Sequence, residues 1–564
     1  MKKPNSTLWK QALRTGLIGG AVVLLLALVG IIGSFKDRDI IRGWVSMGQI
    51  LFLAPILLFA INAARRAESL SKIGTIMAGA ISGFSSALLV ALLPLLGQAI
   101  NLRAMFANAS PELYKILTFG QELLLGVIIL LLVGALIGAA GAAMLLIPPR
   151  IRKALSQAVV WVILLGLLRE LIMVVLSRWG VVAYLFRWLF AQNGLAPIGA
   201  VTVFVVVGAV TYWSSGRKRV AVNTLPPQKK RRRMLITIIA AGIILLILPL
   251  VLGTFFSEIL DTVGLYILMG LGLNIVVGFA GLLDLGYVAF YAIGAYTVGI
   301  LTSPELGLFH LTYWQAMPFA VVVAVLAGVI LGLPVLKMRG DYLAIVTLGF
   351  GEIIRILALS DWLKPWLGGS QGIQQIAHPW LGGLEIKNQT QLYYLILVGI
   401  AIAIFIAWRL KDSRMGRSWM AIREDEDVAQ AMGINLVATK LLAFASGAFF
   451  GGLSGTIFAT KLTAAYPHSF SLFVSINVLS LIIIGGMGSI PGVVVGSLVL
   501  MGSPELLREF AEYRYLVYGA LLVVMMLMKP EGLWPEARRR LELHEAEELA
   551  LGTASQPAPD SARQ

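Results

Sequence analysis

Cysteine is absent from the 564-residue sequence, and histidine occurs only four times. Without cysteine, disulfide bonds, thiol catalysis and cysteine-ligated metals are excluded. The histidines, His310, His378, His468 and His544, are too far apart to give a helical pair of metal ligands. No paired carboxylates, nucleophile elbow or zinc motif stands out either. We therefore predict no metal site and no enzymatic activity.

Charged residues are also scarce, at 13%, whereas hydrophobic residues make up 58%. A soluble domain typically has about 25% charged residues, so this chain has too little charge to cover a surface in water. Its apolar runs are long and do not alternate, which argues against an outer-membrane barrel and against a disordered chain. The composition predicts an all-α, polytopic membrane protein.

The little charge that is present is mostly basic: 45 Lys and Arg against 29 Asp and Glu give a net charge of +16. Because these residues lie in short segments between apolar runs, they indicate the positive-inside bias and not nucleic-acid binding. The strongest cluster, at 216–234, contains eight Lys and Arg residues around Pro226 and Pro227. We predict that this segment is a cytoplasmic linker in contact with membrane lipid, and that both termini are cytoplasmic.

About sixteen apolar segments can be drawn. Six precede the linker and ten follow it, and several of the latter are shorter than the roughly 20 residues that a simple span needs. Short segments interrupted by glycine predict broken or re-entrant helices in the C-terminal half. The sixteen segments are 15–33, 44–63, 73–99, 122–147, 155–176, 196–213, 235–256, 262–281, 284–301, 315–336, 341–359, 392–408, 440–460, 471–485, 488–502 and 515–528.

This pattern divides the chain into four parts. Residues 1–215 form a six-span membrane extension, and 216–234 form the basic linker. Residues 235–530 form a membrane core, and 531–564 form a cytoplasmic tail that ends in a Pro-, Ser- and Ala-rich stretch predicted to be partly disordered.

No phosphate-binding loop of the Gly-x-x-x-x-Gly-Lys-Ser/Thr type occurs in the sequence. If ATP drives this protein, another chain must bind the nucleotide, and we therefore predict no cofactor for this one. A stand-alone channel or a secondary transporter is the alternative.

The most informative loop is 409–438, a charged segment between two apolar runs. Acidic residues at 424–427 favour a helix N-terminus, and Gly433 stands where a helix would end. We predict a helix of three to four turns with an apolar edge at Val428, Ala429 and Met432, which can insert into a groove on a partner. The residues assigned to this contact are Glu424, Asp425, Glu426, Ala429, Ala431 and Gly433.

Four polar side chains lie within apolar segments of the C-terminal half: Asn274, Thr347, Ser475 and Asn477. They are candidates for lining a translocation path, although hydrogen bonds between helices would also explain them.

Glu352 and Arg355 lie at positions i and i+3 of one apolar segment. This spacing predicts an intramembrane ion pair, because such residues face the same side of a helix. Its role is either structural or in gating.

Five ordered motifs of the C-terminal half carry a family resemblance. They are GLGLNIVVGFAGLLDLG at 270–286, MRGDYLAIVTLGFGEIIR at 338–355, AIREDE at 421–426, GGMGSIPG at 485–492 and KPEGL at 529–533. Over residues 240–535 the chain resembles the branched-chain amino-acid ABC importer permeases of the LivM type. The long N-terminal extension is unusual for that family.

This resemblance implies an inner-membrane permease for branched-chain or other neutral amino acids, with urea or short amides as the alternative substrates. It implies a second permease of the LivH type, two ATPase subunits and a periplasmic substrate-binding protein as partners. The helix at 424–433 then corresponds to the coupling helix that docks on an ATPase.

Overall fold

The computed structural model describes residues 6–67, 71–177, 184, 186–215, 227–335, 338, 340–503, 513–529 and 531–535. Much of the predicted linker (216–226) and most of the tail (536–564) lie outside the described residues. The chain divides into two compact units, 1–233 and 234–564. All sixteen predicted apolar segments overlap a helix, which confirms the all-α membrane fold.

The N-terminal unit is built from long helices joined by short connections. Its α-helices are α1 (Ser6–Val29), α2 (Ile31–Ser34), α3 (Met47–Arg66), α4 (Lys72–Ala99), α5 (Pro111–Leu117), α6 (Leu123–Leu146), α7 (Pro149–Leu167), α8 (Arg169–Ser177) and α9 (Pro197–Ser215), with 3-10 turns at Leu102–Ala104 and Arg187–Leu189. A small hairpin of β1 (Asp39–Ile41) and β2 (Val45–Ser46) precedes α3.

Helices α1, α3, α4 and α6 pack together, and α7 packs on α9. Glycines set the closest crossing, between α4 and α6: a Cβ on Gly83 would lie 2.1 Å from the Gly134 carbonyl oxygen. Small residues at a membrane helix crossing let the two backbones touch, which increases van der Waals contact where no hydrophobic effect drives association. Val23, Phe52 and Leu130 fill the core of this bundle.

The C-terminal unit contains shorter and interrupted helices. These are α10 (Pro227–Leu252), α11 (Thr254–Leu273, continued by a π-helix at Asn274–Phe279), α12 (Val288–Thr302), α13 (Tyr313–Val335), α14 (Asp341–Leu359), α15 (Lys364–Leu367), α16 (Gln389–Lys411), α17 (Arg414–Glu424), α18 (Glu426–Ala431), α19 (Leu436–Leu462), α20 (Leu472–Gly485), α21 (Ile490–Ser497, continued by a π-helix at Leu498–Gly502) and α22 (Arg514–Met528). The boundary between the units falls in the first turns of α10.

Ten described helices are long and apolar enough to cross a membrane, and two bent pairs raise the number to twelve. In the C-terminal unit, α20 and α21 form one of these pairs and meet at 118°. Helices α10 and α11 are separated at Gly253, which lies inside the predicted apolar segment 235–256. The φ of 85° and ψ of −172° of this residue are readily adopted only by glycine. Phe255 and Phe256 therefore belong to α11.

Short strands and turns gather at one end of the C-terminal unit, which we call the strand end. The strands are β3 (Ile373–Gln374), β4 (Trp380–Leu381), β5 (Leu384–Glu385) and β6 (Ala464–Ala465), with 3-10 turns at Gly369–Gln371 and Pro467–Phe470. Strand β3 pairs with β6, and β4 pairs with β5. The Ser303 hydroxyl also donates to the Gln374 carbonyl oxygen at 2.5 Å, so three separate loops meet at this end.

Helix α19 lies at the centre of the unit, against α11, α12 and α13. Its glycines Gly447, Gly451 and Gly455 share one face, and a Cβ on Gly455 would lie 2.0 Å from the Tyr291 carbonyl oxygen. Tyr287 donates to the Gly447 carbonyl oxygen at 2.9 Å across the same contact. These glycines therefore lie where α12 and α19 touch.

Candidate functional site

The first feature of the site is the interruption between α11 and α12. The hydrogen-bond pattern of α11 changes to that of a π-helix at Asn274, and the chain then runs without regular structure until Tyr287. π-Helical turns are rare and often occur at functional positions. Asn274 is buried, and its Oδ1 accepts a hydrogen bond of 2.8 Å from the Gly488 backbone N–H, in the turn between α20 and α21. One amide side chain thus joins two interrupted segments.

Buried side chains also accept hydrogen bonds from backbone N–H groups at the start of α12 and just before it. Thr347 Oγ1 on α14 accepts from the Leu285 N–H at 3.0 Å, and Ser475 Oγ on α20 accepts from the Val288 N–H at 2.9 Å. Asp284 Oδ1 accepts from the Gly286 N–H at 2.9 Å. Because the first N–H groups of a helix have no helical acceptors, these side chains stabilise a break that would otherwise be costly inside a membrane.

The four path candidates therefore separate into two groups. Asn274, Thr347 and Ser475 are buried and bind backbone groups of broken segments. Asn477 is half-buried and lies two residues after Ser475, on a different side of α20. Of the four, Asn477 alone retains exposed surface in this chain.

The segment predicted to contact a partner contains two helices and not one. The prediction of a single helix was wrong because Asp425 has an extended backbone (φ −158°, ψ 117°) between α17 and α18. Its carboxylate caps α18 by accepting from the N–H groups of Asp427 at 2.8 Å and Val428 at 3.0 Å. A capping carboxylate at this position favours a helix start over helix continuation.

The apolar edge of α18 is narrower than predicted. Val428 and Met432 are 59% and 80% exposed, and Ala431 is also exposed. Ala429, in contrast, is 3% exposed and packs into its own chain, so its assignment to the exposed edge was wrong. The exposed edge consists of Val428, Ala431 and Met432 beside the acidic residues.

Gly433 reverses the chain after α18. Its φ is 88°, its N–H donates to the Gln430 carbonyl at 3.0 Å, and the Ile434 N–H donates to the Ala429 carbonyl at 3.1 Å. These two hydrogen bonds define a Schellman motif, in which a residue in the left-handed region ends the helix. A Cβ on Gly433 would meet no described neighbour within 4 Å, so backbone conformation alone favours glycine there.

Two contacts that the sequence reasoning missed anchor these helices. Lys440 Nζ lies 2.6 Å from Glu426 Oε1, and the two side chains are only 3% and 19% exposed. The indole N–H of buried Trp419 donates to the Thr439 carbonyl at 2.9 Å. The signal for the ion pair was a lysine near the start of an apolar helix, a short distance after an acidic run.

Glu352 and Arg355 form the predicted ion pair. Arg355 Nε donates to Glu352 Oε1 at 2.9 Å, and the Arg355 Nη2 also contacts that oxygen. The side chains of Arg355 and Glu352 are 30% and 38% exposed, respectively, beside the exposed Ile353 and Ile356. The ion pair is thus partly exposed, on a face of α14 that the described residues leave uncovered.

Two carboxylates are buried in the C-terminal unit and were not identified from sequence. Asp261 on α11 has no hydrogen-bond partner for either oxygen among the described residues. Asp284 uses one oxygen to accept from Gly286, and its other oxygen lacks a partner in the described structure. Buried ionisable groups are costly in membrane helices and commonly mark functional regions.

Interrupted helices, buried carboxylates and an exposed polar helix pair at one end define the C-terminal unit as a membrane transport core. The model of the family "Branched-chain amino acid transport system / permease component" matches residues 255–526. The LivM permeases of Salmonella typhimurium and Escherichia coli, named as high-affinity branched-chain amino acid transport system permease proteins, are each 42% identical over 302 residues, covering 50% of this chain and 70% of theirs.

The LivH permease of Salmonella typhimurium is 24% identical over 48% of this chain and 90% of its own length. No solved structure matches the chain. The chain belongs to the family of branched-chain amino acid transport permeases, and it is a multi-pass inner-membrane protein. Its relatives are transport permeases and not enzymes.

Proposed function

We propose that this chain is the transmembrane permease subunit of an ATP-driven importer for branched-chain or other neutral amino acids. The observations that carry the proposal are the 42% identity to the two LivM permeases and the family match over residues 255–526, which include the broken helices and α17–α18. In the test, the complex is placed in liposomes with its binding protein, and ATP-dependent uptake of labelled leucine is measured.

The substrate class follows from the chemistry near the break. Asn274, Thr347 and Ser475 are neutral and bind backbone groups, so none of the three carries a charge that would hold a solute in transit. Competition with unlabelled valine, isoleucine, urea and acetamide distinguishes the classes. We expect the amino acids to inhibit leucine uptake. Inhibition by urea or acetamide alone would instead assign the protein to amide transport.

ATP is bound by partner chains. The sequence has no phosphate-binding loop, so another chain must bind ATP. On the likeness to the LivM and LivH permeases, we propose that two ATPase subunits, a second permease of the LivH type and a periplasmic binding protein complete the importer. The exposed edge of Val428, Ala431 and Met432, beside Glu424 and Asp425, provides the ATPase contact. Uptake that persists without any ATPase subunit would favour a stand-alone channel or secondary transporter.

The orientation follows from the charge distribution. The end of the unit with α17 and α18 is cytoplasmic, because basic residues such as Arg409, Lys411 and Arg414 cluster there. The strand end is then periplasmic, where a loaded binding protein docks. Both termini are cytoplasmic in this arrangement. Accessibility of single cysteines introduced at Gly382 and Met432 tests it, since the chain has no cysteine of its own.

The translocation path runs along the uncovered face of α14. A half-exposed ion pair would be poorly solvated in lipid, so Glu352 and Arg355 face the second permease or a water-filled path. Reversing both charges together should restore the uptake that each single reversal removes. A double variant that is no better than the singles would contradict the pairing.

A further inference from the structure

Three segments meet at the end of the C-terminal unit that carries α17 and α18. They are the last turn of α17, the π-helix with the four residues after it, and the turn at 486–489. Arg423 Nη1 on α17 donates a hydrogen bond of 2.6 Å to the Gly278 carbonyl oxygen in the π-helix. Carbonyls in the last turn of a helix lack helical donors, so this guanidinium caps the interrupted end of α11.

Glycines make this junction tight. A Cβ on Gly278 would lie 2.2 Å from Asn274 Oδ1 and 2.7 Å from the Gly488 nitrogen. A Cβ on Gly281, whose φ is 72°, would lie 2.9 Å from Arg423 Cγ. Because Gly278 and Gly281 carry no side chains, their backbones lie directly against Asn274, Gly488 and Arg423. A shift of Arg423 is therefore passed on to the π-helix rather than absorbed.

The junction continues to the re-entrant pair. Asn274 joins the π-helix to Gly488, in the turn where α20 and α21 meet at 118°. A single series of contacts therefore connects α17 to two broken helices: from Arg423 to Gly278, and from Asn274 to Gly488.

A pocket beside the end of α17 leaves room for movement. This pocket, of about 340 Å³, is lined by residues 280–282, Met338, Gly340, Leu343 and residues 422–427. Helix α18 is meanwhile held to α19 by the Lys440–Glu426 ion pair. The end of α17 thus has free space next to its hydrogen bond to the π-helix.

We propose that Arg423 is a positioning residue that transmits movement of α17 and α18 to the two broken helices through the Gly278 carbonyl. This inference rests on the proposed function, in which an ATPase docks on α18. Arg423 is not part of the exposed edge that provides the docking contact. It determines whether ATP hydrolysis is converted into opening of the path.

The test uses the assembled importer in liposomes with its ATPases and loaded binding protein. Arg423→Gln removes the charged donor, and Arg423→Lys keeps the charge on a shorter, non-planar group. Gly281→Ala displaces the Arg423 side chain without removing a hydrogen-bonding group. Arg417→Gln is the matched control, because Arg417 lies on the same helix and its side chain donates, among the described residues, to the nearby Asp412 carbonyl at 3.0 Å.

Three quantities are measured: the amount of ATPase subunit that co-purifies with the permease, the rate of ATP hydrolysis, and the leucine transported per ATP hydrolysed. We expect Arg423→Gln to keep both ATPases and to hydrolyse ATP, with transport per ATP reduced about tenfold. Arg423→Lys and Gly281→Ala should lie between this variant and the wild type, whereas Arg417→Gln should match the wild type.

Two results would overturn the inference. Unchanged transport per ATP in Arg423→Gln would show that the hydrogen bond transmits nothing. Loss of the ATPases from that variant would make Arg423 a docking residue. The wild-type complex separates the two hypotheses: leucine uptake by it establishes the proposed function whatever the variants do, and its failure to transport overturns both.

Discussion

The two units of this chain satisfy their backbone hydrogen-bonding groups inside the membrane in different ways. In the N-terminal unit, α1, α3, α4 and α6 run without π-helical breaks and pack through glycine contacts. In the C-terminal unit, α11 and α21 change to π-helices, and α20 and α21 meet at a sharp bend. Unbroken helices satisfy their own backbone groups, whereas broken ones need side chains for this.

Buried polar residues follow the same division. Those of the N-terminal unit are hydroxyls, such as Ser86, which donates to the Gly16 carbonyl at 2.7 Å. The buried Asp261, Asp284 and Lys440 all belong to the C-terminal unit, as does Asn274. Among the described residues, fully buried carboxylates and a fully buried lysine therefore occur in the C-terminal unit alone, and such costly groups commonly mark transport regions.

Ion pairs give the sharpest comparison and the largest expected effect. Lys440–Glu426 is almost fully buried, whereas Lys36–Glu112 in the N-terminal unit lies 2.5 Å apart at the surface. Replacing Glu426 by Gln leaves the Lys440 cation buried without its partner, which costs about 3 kcal/mol. We expect a lower melting temperature and loss of ATPase from the purified complex.

Glu112→Gln is the matched control for this variant. An exposed pair contributes little to stability, so the melting temperature and the retained ATPase should both match the wild type. Equal behaviour of the two variants would remove the distinction between the two ion pairs.

The second largest effect is expected at Asn274. Asn274→Leu leaves the buried Gly488 N–H without its acceptor, at a cost of about 1–3 kcal/mol. We expect leucine uptake to fall roughly tenfold at normal membrane abundance. Ser86→Ala removes a buried hydroxyl of the N-terminal unit and should leave uptake intact. Normal uptake by Asn274→Leu would show that the π-helix and the turn can separate without consequence.

A third, smaller effect is expected when Gly433, which ends α18, is replaced. Gly433→Val forces a β-branched residue into the left-handed region, which costs about 1–2 kcal/mol. We expect the permease to reach the membrane but to retain less ATPase on purification. Gly382→Val is the control, because Gly382 also has a positive φ and open space, but lies at the strand end. ATPase retention that is equal in both variants would argue against docking at α18.

The smallest effect concerns pH. Burial lowers the pKa of His378, between β3 and β4, below its ordinary value. A lowered pKa means that the neutral imidazole is favoured in the fold. The stabilisation is therefore complete above about pH 6.5 and is lost as the pH falls through the lowered pKa.

Hydrogen exchange measures this difference directly. Between pH 7.5 and 5.5, corrected for intrinsic rates, protection of residues 373–388 should decrease slightly in the wild type and remain constant in His378→Gln. Residues 1–233 contain no histidine, so their protection should not change in this range. A loss of protection in His378→Gln would assign the effect to another group.

Sequence reasoning predicted the helices well because long apolar runs are a local signal. It also selected Asn274, Thr347 and Ser475 as unusual polar residues. Their partners could not be predicted, since the backbone groups at Gly488, Leu285 and Val288 lie far away in the sequence or on other helices. Local composition does not specify which distant amide a buried hydroxyl will meet.

The helix interruptions were predicted only in part. Glycine and short length indicated broken helices, but the break at Gly253 lies inside a predicted apolar segment, and the extended Asp425 lies inside a predicted single helix. Each depends on the backbone conformation of one residue, which the surrounding tertiary contacts select. Arg423 was read as part of a charged segment, because its acceptor is 145 residues away.

The comparison of the two units leads to one central claim: transport resides in the C-terminal unit. The most direct test is ATP-dependent leucine uptake by a chain that begins at Lys229, assembled with the same partners and compared with the full chain. We predict the same uptake per assembled complex. A shortened chain that assembles with its ATPases but does not transport leucine would contradict the claim, and would make the N-terminal unit part of the transport machinery.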